Sequence, residues 1–60
     1  MIKMYANNLG WLAGRKPDGT IRFTKSKDAA KPYPSEWDKE LIKDAREIEA
    51  RGHHLDKVRC

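Results

Sequence analysis

Two prolines, Pro32 and Pro34, separate two parts of the chain that differ in hydrophobic pattern. Each proline removes a backbone donor and restricts the residue before it, so neither a regular helix nor a central strand runs through residues 31–34. Ahead of this segment apolar and polar residues alternate, which is typical of β-strands. Behind it apolar residues recur every three or four positions, which is typical of an amphipathic helix. The sequence therefore predicts a β-rich first half and one helix after it.

The best-defined element of the first half is a hairpin around residues 16–20, KPDGT. Pro17 presets φ for the first central position of the turn, and Gly19 supplies the positive φ that follows. Apolar residues alternate on both sides of this turn, at Leu9, Trp11 and Ala13 before it and at Ile21 and Phe23 after it. We expect Leu9, Trp11, Ile21 and Phe23 to face the core.

A further strand is predicted upstream, because Ile2, Met4 and Ala6 alternate with polar positions and Asn7-Asn8 accepts a left-handed turn. The three strands would form an antiparallel meander. Gly10 and Gly14 lie inside the second strand, where glycine marks a bulge or a close approach of two backbones.

One amphipathic helix is predicted over residues 36–51. Ser35 is the expected N-cap, with Asp38 three residues later in a capping box, and Gly52 ends the helix. The apolar stripe of this helix consists of Trp37, Leu41, Ala45 and Ile48. The tail, residues 53–60, is expected to be a short strand or a segment docked through Leu55 and Val58.

These elements predict an α+β fold: a three-stranded antiparallel β-meander with one C-terminal amphipathic α-helix packed on one face. A chain of sixty residues buries only about 60% of its unfolded surface, so we expect a single small domain. Its parts are the β-meander and crossover (1–34), the helix (35–52) and the tail (53–60). The second face of the sheet is expected to stay open to a partner.

The positive charge of the chain lies in its first half. Residues 1–34 carry seven cationic and two acidic residues, a net +5, whereas residues 35–60 carry six and seven, a net −1. On a sheet that buries Ile21 and Phe23, Arg22 and Thr24 lie on the outer face. The predicted partner-binding residues are Arg15, Lys16, Arg22, Thr24 and Lys25, with Tyr5 as an aromatic anchor, and the expected partner is a protein or a nucleic acid.

No catalytic residue is predicted, and the protein is not expected to be an enzyme. Ser35 is explained as a helix cap, and the pair Glu40 and Asp44, one turn apart, is expected to be solvated helix surface. Neither a metal nor a cofactor is predicted. Metal-ligand residue types cluster only at His53, His54, Asp56 and Cys60. Since zinc sites normally need two paired ligand sets, a zinc ion shared between two copies is the alternative here.

The expected compartment is the cytoplasm. No apolar run approaches the roughly 20 residues that a membrane span requires, so no membrane association is expected. A small chain with one cysteine lacks the internal disulfides that are common in oxidising compartments. Its thin core leaves a homodimer open as a further source of stability.

Beyond these patterns, the string YANNLGWL (5–12), the segment DGTIRFT (18–24) and the motif KDAA (27–30) before a helix resemble small bacteriophage-type accessory proteins. The resemblance covers nearly the whole chain and rests on turn residues, one core phenylalanine and a crossover. It implies a non-catalytic module that binds a host macromolecule in the cytoplasm and modulates or inhibits it.

The same order of elements, a three-stranded sheet before a helix, is similar to the arm-type DNA-binding domains of tyrosine recombinases. That resemblance implies insertion of the sheet into the major groove, with Arg22 and Thr24 on the reading face. The chain departs from it because Lys3 is the only cation between Met1 and Leu12. Binding of double-stranded DNA is therefore the alternative to a host protein partner.

Overall fold

The computed structural model describes residues 1–59 and shows a small α+β domain. Its elements are β1 (Ile2–Ala6), β2 (Gly10–Arg15), β3 (Ile21–Thr24), a 3₁₀ turn (Lys27–Ala29), α1 (Lys39–Ala50) and β4 (Leu55–Arg59). The four strands form one sheet in the order β3-β2-β1-β4, with every neighbouring pair antiparallel. The predicted α+β class is confirmed. The predicted strand count and the C-terminal helix are wrong, because the tail returns as β4 beside β1 and leaves α1 in mid-chain.

Both predicted turns are present. Asn8 takes the left-handed conformation at φ 69°, and the backbone N–H of Leu9 donates to the Ala6 carbonyl at 3.0 Å. In the β2–β3 hairpin the Gly19 N–H donates to Lys16 O at 2.9 Å. The Thr20 backbone N–H and hydroxyl both donate to the Asp18 carboxylate, which lowers the pKa of Asp18. Turn chemistry alone therefore located these chain reversals.

The two glycines of β2 have the predicted roles. Between Leu12 and Arg15 the pairing of β2 with β3 shifts register, and Gly14 within that bulge has φ 103°. A Cβ atom on Gly10 would lie 2.8 Å from the Thr24 carbonyl oxygen, so only glycine permits this approach of β2 to β3. The bulge also puts Leu12 and Arg15, three residues apart, on the same side of the sheet.

The crossover after β3 enters the sheet rather than passing over it. Tyr33 exchanges both backbone hydrogen bonds with Ile2, at 2.7 and 2.8 Å, and the Lys31 N–H donates to the Leu12 carbonyl at 2.9 Å. Residues 31–33 thus bridge β1 and β2 beyond the point where their mutual pairing ends. The Tyr33 side chain is consequently buried in the core.

Helix α1 begins later than expected. Asp38 is the N-cap, and its carboxylate accepts from the Leu41 N–H at 3.2 Å. Ser35 instead accepts from the Trp37 N–H at 3.3 Å in a turn ahead of the helix. Because Trp37 lies before the helix, it is 83% exposed, and its predicted place in the core is wrong.

One core lies between the helix and one side of the sheet; its buried members are Ile2, Met4, Ala6, Leu12, Ile21, Tyr33, Leu41, Ala45 and Ile48. The predictions for Ile2, Met4, Ile21 and the helix positions 41, 45 and 48 are confirmed. The prediction that Leu9 and Trp11 face this core is wrong. Leu12 pairs with Phe23, so the even-numbered positions at the start of β2 face the helix.

Among residues 1–59, no helix has both the length and the apolar character needed to span a membrane.

Candidate partner-binding face

The sheet has a second side, opposite the helix, which we call the open face. The register defines it: Tyr5 lies opposite Trp11, and Trp11 lies opposite Thr24. Since neighbouring residues of a strand point to opposite sides, these three side chains point away from Met4, Leu12 and Phe23. By the same rule the open face consists of Lys3, Tyr5, Trp11, Arg22, Thr24, Asp56 and Val58.

An aromatic pair occupies the centre of the open face. The rings of Tyr5 and Trp11 lie edge to face, with centroids 5.2 Å apart and planes inclined by 64°. Tyr5 is 36% exposed and Trp11 is half-buried. This geometry is favourable for aromatic rings, and cross-strand pairs of this kind stabilise a sheet while presenting ring surface to solvent.

Several cations lie beside the aromatic pair. The Lys27 Nζ lies 5.9 Å from the centroid of the Trp11 ring, within the range of a cation–π contact. The Lys3 Nζ donates to the Lys27 carbonyl at 2.8 Å, which ties the 3₁₀ turn to this end of the face. Arg22 is exposed on β3, and Lys25 is exposed immediately after it. The face therefore combines ring surface with positive charge.

The predicted site residues are only partly brought together. Tyr5, Arg22 and Thr24 share the open face, and Lys25 follows Thr24 at its edge. Lys16 lies in the hairpin turn, at the end of β2. The expectation that Arg15 flanks this face is wrong, because its side chain lies on the helix side.

The bulge at Gly14 turns Arg15 toward the helix, where it joins a buried polar network. The Arg15 guanidinium donates to Asp44 Oδ1 at 2.7 Å, and this hydrogen bond raises the pKa of Arg15. The Tyr33 hydroxyl donates to Asp44 Oδ2 at 2.7 Å. Asp44 is only 3% exposed, so the expectation that it lies on solvated helix surface is wrong. Both carboxylate oxygens have protein donors, as a buried charge requires.

Tyr33 is the titratable group that this network perturbs most. Burial, the hydrogen bond to Asp44 and the negative charge of Asp44 raise its pKa well above the ordinary value for tyrosine. The phenol therefore stays protonated and donating. The network joins α1, β2 and the crossover through hydrogen bonds to Asp44, so its role is to stabilise the fold; we call it the Asp44 clasp.

Sequence analysis missed Asp44 and Tyr33, although a signal for Asp44 exists. Asp44 is three residues after Leu41 and four before Ile48, so it lies within the buried stripe of α1. An acidic residue in that stripe requires a donor from the sheet. Tyr33 carries no such signal, because its position depends on the bridge between the crossover and β1.

The histidine cluster lies at the start of β4. The His54 Nε2 is 3.2 Å from Asp56 Oδ1, and both side chains are largely exposed. His53 is half-buried. Within residues 1–59, no three His, Cys, Asp or Glu side chains converge to hold a metal ion. Cys60, the remaining member of the predicted cluster, lies outside the described residues.

A separate exposed aromatic, Trp37, lies ahead of α1 and is not part of the sheet. Trp37 borders a cleft of about 400 Å³ together with Met1, Pro34 and Arg59. It precedes α1 and is remote in sequence from the strands that form the open face. Because it is exposed and makes little core contact, it offers a control position for aromatic substitutions.

No protein-family model matches this chain, and comparison with curated proteins and with solved structures finds no similar protein.

Proposed function

We propose that this protein is a non-catalytic interaction module that binds a macromolecular partner through the open face. The observation that carries the proposal is the aromatic pair Tyr5–Trp11 on the side of the sheet opposite α1, with Lys27 against the Trp11 ring. Aromatic and arginine side chains contribute most of the binding energy at macromolecular interfaces. Arg22, Thr24 and Lys25 complete the contact surface on the β3 side.

The sign of the charge supports a negatively charged partner. Four cations lie on or beside the face: Lys3, Arg22, Lys25 and Lys27. The acidic residues there are Asp56 on the outer strand and Asp28 next to Lys27 in the 3₁₀ turn, so the positive charges are in excess. Such a surface accelerates association with an acidic partner, and the affinity falls as the salt concentration rises. The resemblance to bacteriophage-type accessory proteins extends the proposal to a host macromolecule that is modulated or inhibited by this contact.

Double-stranded DNA is the second candidate. Arg22 and Thr24 share the open face, as the resemblance to arm-type domains requires. Against a groove-inserted mode, the sheet has a fourth strand. Three spacings of about 4.8 Å make it about 14 Å wide between its outer strands, whereas the major groove is about 12 Å wide.

The test is a comparison of two arginine reversals. Arg22 lies on the open face, and Arg46 lies exposed on the outer side of α1. Because Arg22→Glu and Arg46→Glu change the net charge equally, they separate a local contact from a general field effect. Binding of polyglutamate and of random-sequence duplex DNA is measured at low salt by fluorescence anisotropy.

We expect Arg22→Glu to weaken binding by on the order of tenfold or more, and Arg46→Glu to weaken it several-fold less. Both variants should keep the wild-type circular dichroism spectrum, since both side chains are exposed. Equal effects of the two reversals would show that the open face is not the site. Failure of the wild-type protein to bind either polyanion would contradict a negatively charged partner.

A further inference from the structure

The open face combines aromatic ring surface with positive charge, and this combination narrows the chemistry of its ligand. At its centre lie two aromatic rings on adjacent strands, 5.2 Å apart, with a lysine ammonium 5.9 Å from the second ring. A polymer of carboxylates alone would use the cations but offers the rings no flat apolar surface. A ligand that combines negative charge with flat apolar surfaces would use both.

We infer that the ligand of the open face is a single-stranded nucleic acid, whose bases stack on Tyr5 and Trp11 while its phosphates contact the surrounding cations; this inference rests on the proposed function. Aromatic side chains on a sheet, flanked by a basic path, are the general means by which proteins bind unpaired bases. In a duplex the base faces are already stacked on one another and are not offered to such rings.

The distribution of charge across the sheet indicates the path of the nucleic acid over the open face. On the β2–β3 side lie Arg22 and Lys25, and Lys27 lies over Trp11. On the β4 side Asp56 lies directly opposite Tyr5, and its Oδ1 is 3.2 Å from the His54 Nε2. We therefore expect the phosphates over β2 and β3, away from the Asp56 carboxylate. The polyanion is expected to run past Arg22 and Lys27, with Tyr5 at the inner border of the path.

Lys27 has a specific part in this arrangement. Its carbonyl accepts from Lys3, which fixes the 3₁₀ turn, while its ammonium lies over the Trp11 ring. A base that stacks on Trp11 displaces the ammonium from the ring and leaves it beside the adjoining phosphate. The same lysine thus covers the ring in the free protein and neutralises charge in the complex.

The experiment uses Trp11 as its own reporter. The chain has two tryptophans, and Trp37 is 83% exposed, so Trp37→Phe leaves Trp11 as the single indole without disturbing the core. An oligothymidylate of on the order of ten nucleotides is titrated into this variant at low salt. The expected result is saturable quenching of Trp11 fluorescence, with an affinity that falls steeply as salt rises.

Three further probes keep the inference falsifiable. Inorganic polyphosphate supplies the charge without bases, polyglutamate supplies carboxylates, and a duplex of the same length supplies bases that are already stacked. Each is expected to bind several-fold more weakly than the oligothymidylate and to quench Trp11 less. Equal or tighter binding of any of the three would overturn the inference.

Matched aromatic variants complete the test. Tyr5→Ala should weaken oligothymidylate binding by on the order of tenfold, which is the usual effect of losing one stacking ring, and should leave polyphosphate binding unchanged. Trp37→Ala removes an exposed ring outside the face and should change neither. An oligothymidylate affinity insensitive to Tyr5→Ala would also overturn the inference. If the Arg22 and Arg46 reversals still differ in that case, the proposed function survives and only the ligand class is wrong.

Discussion

The two sides of this sheet are built from alternate residues of the same strands but differ in chemistry. The helix side holds Met4 and Leu12 in a closed core, together with a carboxylate whose oxygens both accept hydrogen bonds. The open face holds Tyr5 and Trp11 in partial contact with solvent among unburied cations. Residues that are neighbours in sequence therefore have different roles. Because successive side chains of a strand point to opposite sides of the sheet, one stabilises the core and the next is available to a partner.

Leucine and tryptophan at consecutive positions of β2 give the strongest test of this comparison. Leu12→Ala should cost about 3 kcal/mol, because it opens a cavity in a fully buried site. That is close to the entire stability of a core this small, so the variant should be largely unfolded. Trp11→Ala removes a larger side chain from the open face and should cost less. Urea denaturation followed by circular dichroism ranks the two, and the reverse order would refute the assigned parity of β2.

Asp44 and Glu40, one turn apart on α1, should contribute very differently to the stability of the protein. Asp44→Ala leaves the buried Tyr33 hydroxyl without its acceptor and should destabilise the protein by about 3 kcal/mol. Glu40 is exposed, and its ion pair with Lys31 is worth at most about 1 kcal/mol. Thermal unfolding of Asp44→Ala and Glu40→Ala measures the difference. Similar melting temperatures would mean that Asp44 is not a buried clasp.

Two arginines lie on opposite sides of the β2–β3 hairpin. Arg15→Ala leaves the buried Asp44 without its cation and should cost about 2 kcal/mol. Arg22→Ala should change stability by no more than about 0.5 kcal/mol, since the side chain is exposed. The binding effects should have the opposite order. Denaturation and anisotropy measured on the same two samples give both rankings, and a stable Arg15→Ala variant would break the comparison.

Tyr33, on the helix side of the sheet, should make the stability of the protein sensitive to alkali. The pKa of Tyr33 is raised in the folded protein, so the stability from its neutral phenol is fully present below about pH 10. Above that pH the unfolded chain releases the proton while the folded chain keeps it. Stability should therefore fall by about 1.4 kcal/mol per pH unit from this group.

Melting curves between pH 8 and 11 should show this loss, and Tyr33→Phe should reduce its slope. Tyr5→Phe, on the open face, serves as the matched control for the loss of one phenol hydroxyl. An unchanged slope in Tyr33→Phe would contradict the burial of the phenol against Asp44.

The comparison also explains how much the sequence could predict. Turns and the helical stripe depend on residues close together in the chain, so the hairpin at Gly19 and the stripe from Leu41 to Ile48 were correctly expected. Which side chains of β2 face the core was not correctly expected, because the bulge at Gly14 changes which alternate residues point toward the helix. Which residues a bulge turns inward depends on the partner strand, and no local signal encodes that.

The same reasoning applies to Trp37 and Tyr33. Trp37 fits the spacing of the helical stripe, but Asp38 is the N-cap, so Trp37 lies outside the helix. Tyr33 reaches the core through its backbone bridge to Ile2, a contact between distant parts of the chain. For the candidate site, the sequence indicated Tyr5, Arg22, Thr24 and Lys25 as outward residues. It did not indicate the aromatic pairing with Trp11 or the position of Lys27.

The pairing of β1 with β4 has a consequence for synthesis. These strands lie at opposite ends of the described chain, yet every residue of β1 has a partner in β4. On the ribosome, β1 emerges long before β4 exists, so its outer backbone edge stays available to other chains during that interval. The nascent protein is then most prone to aggregate. A chaperone that shields Ile2–Ala6 during this interval should therefore improve the yield of folded protein.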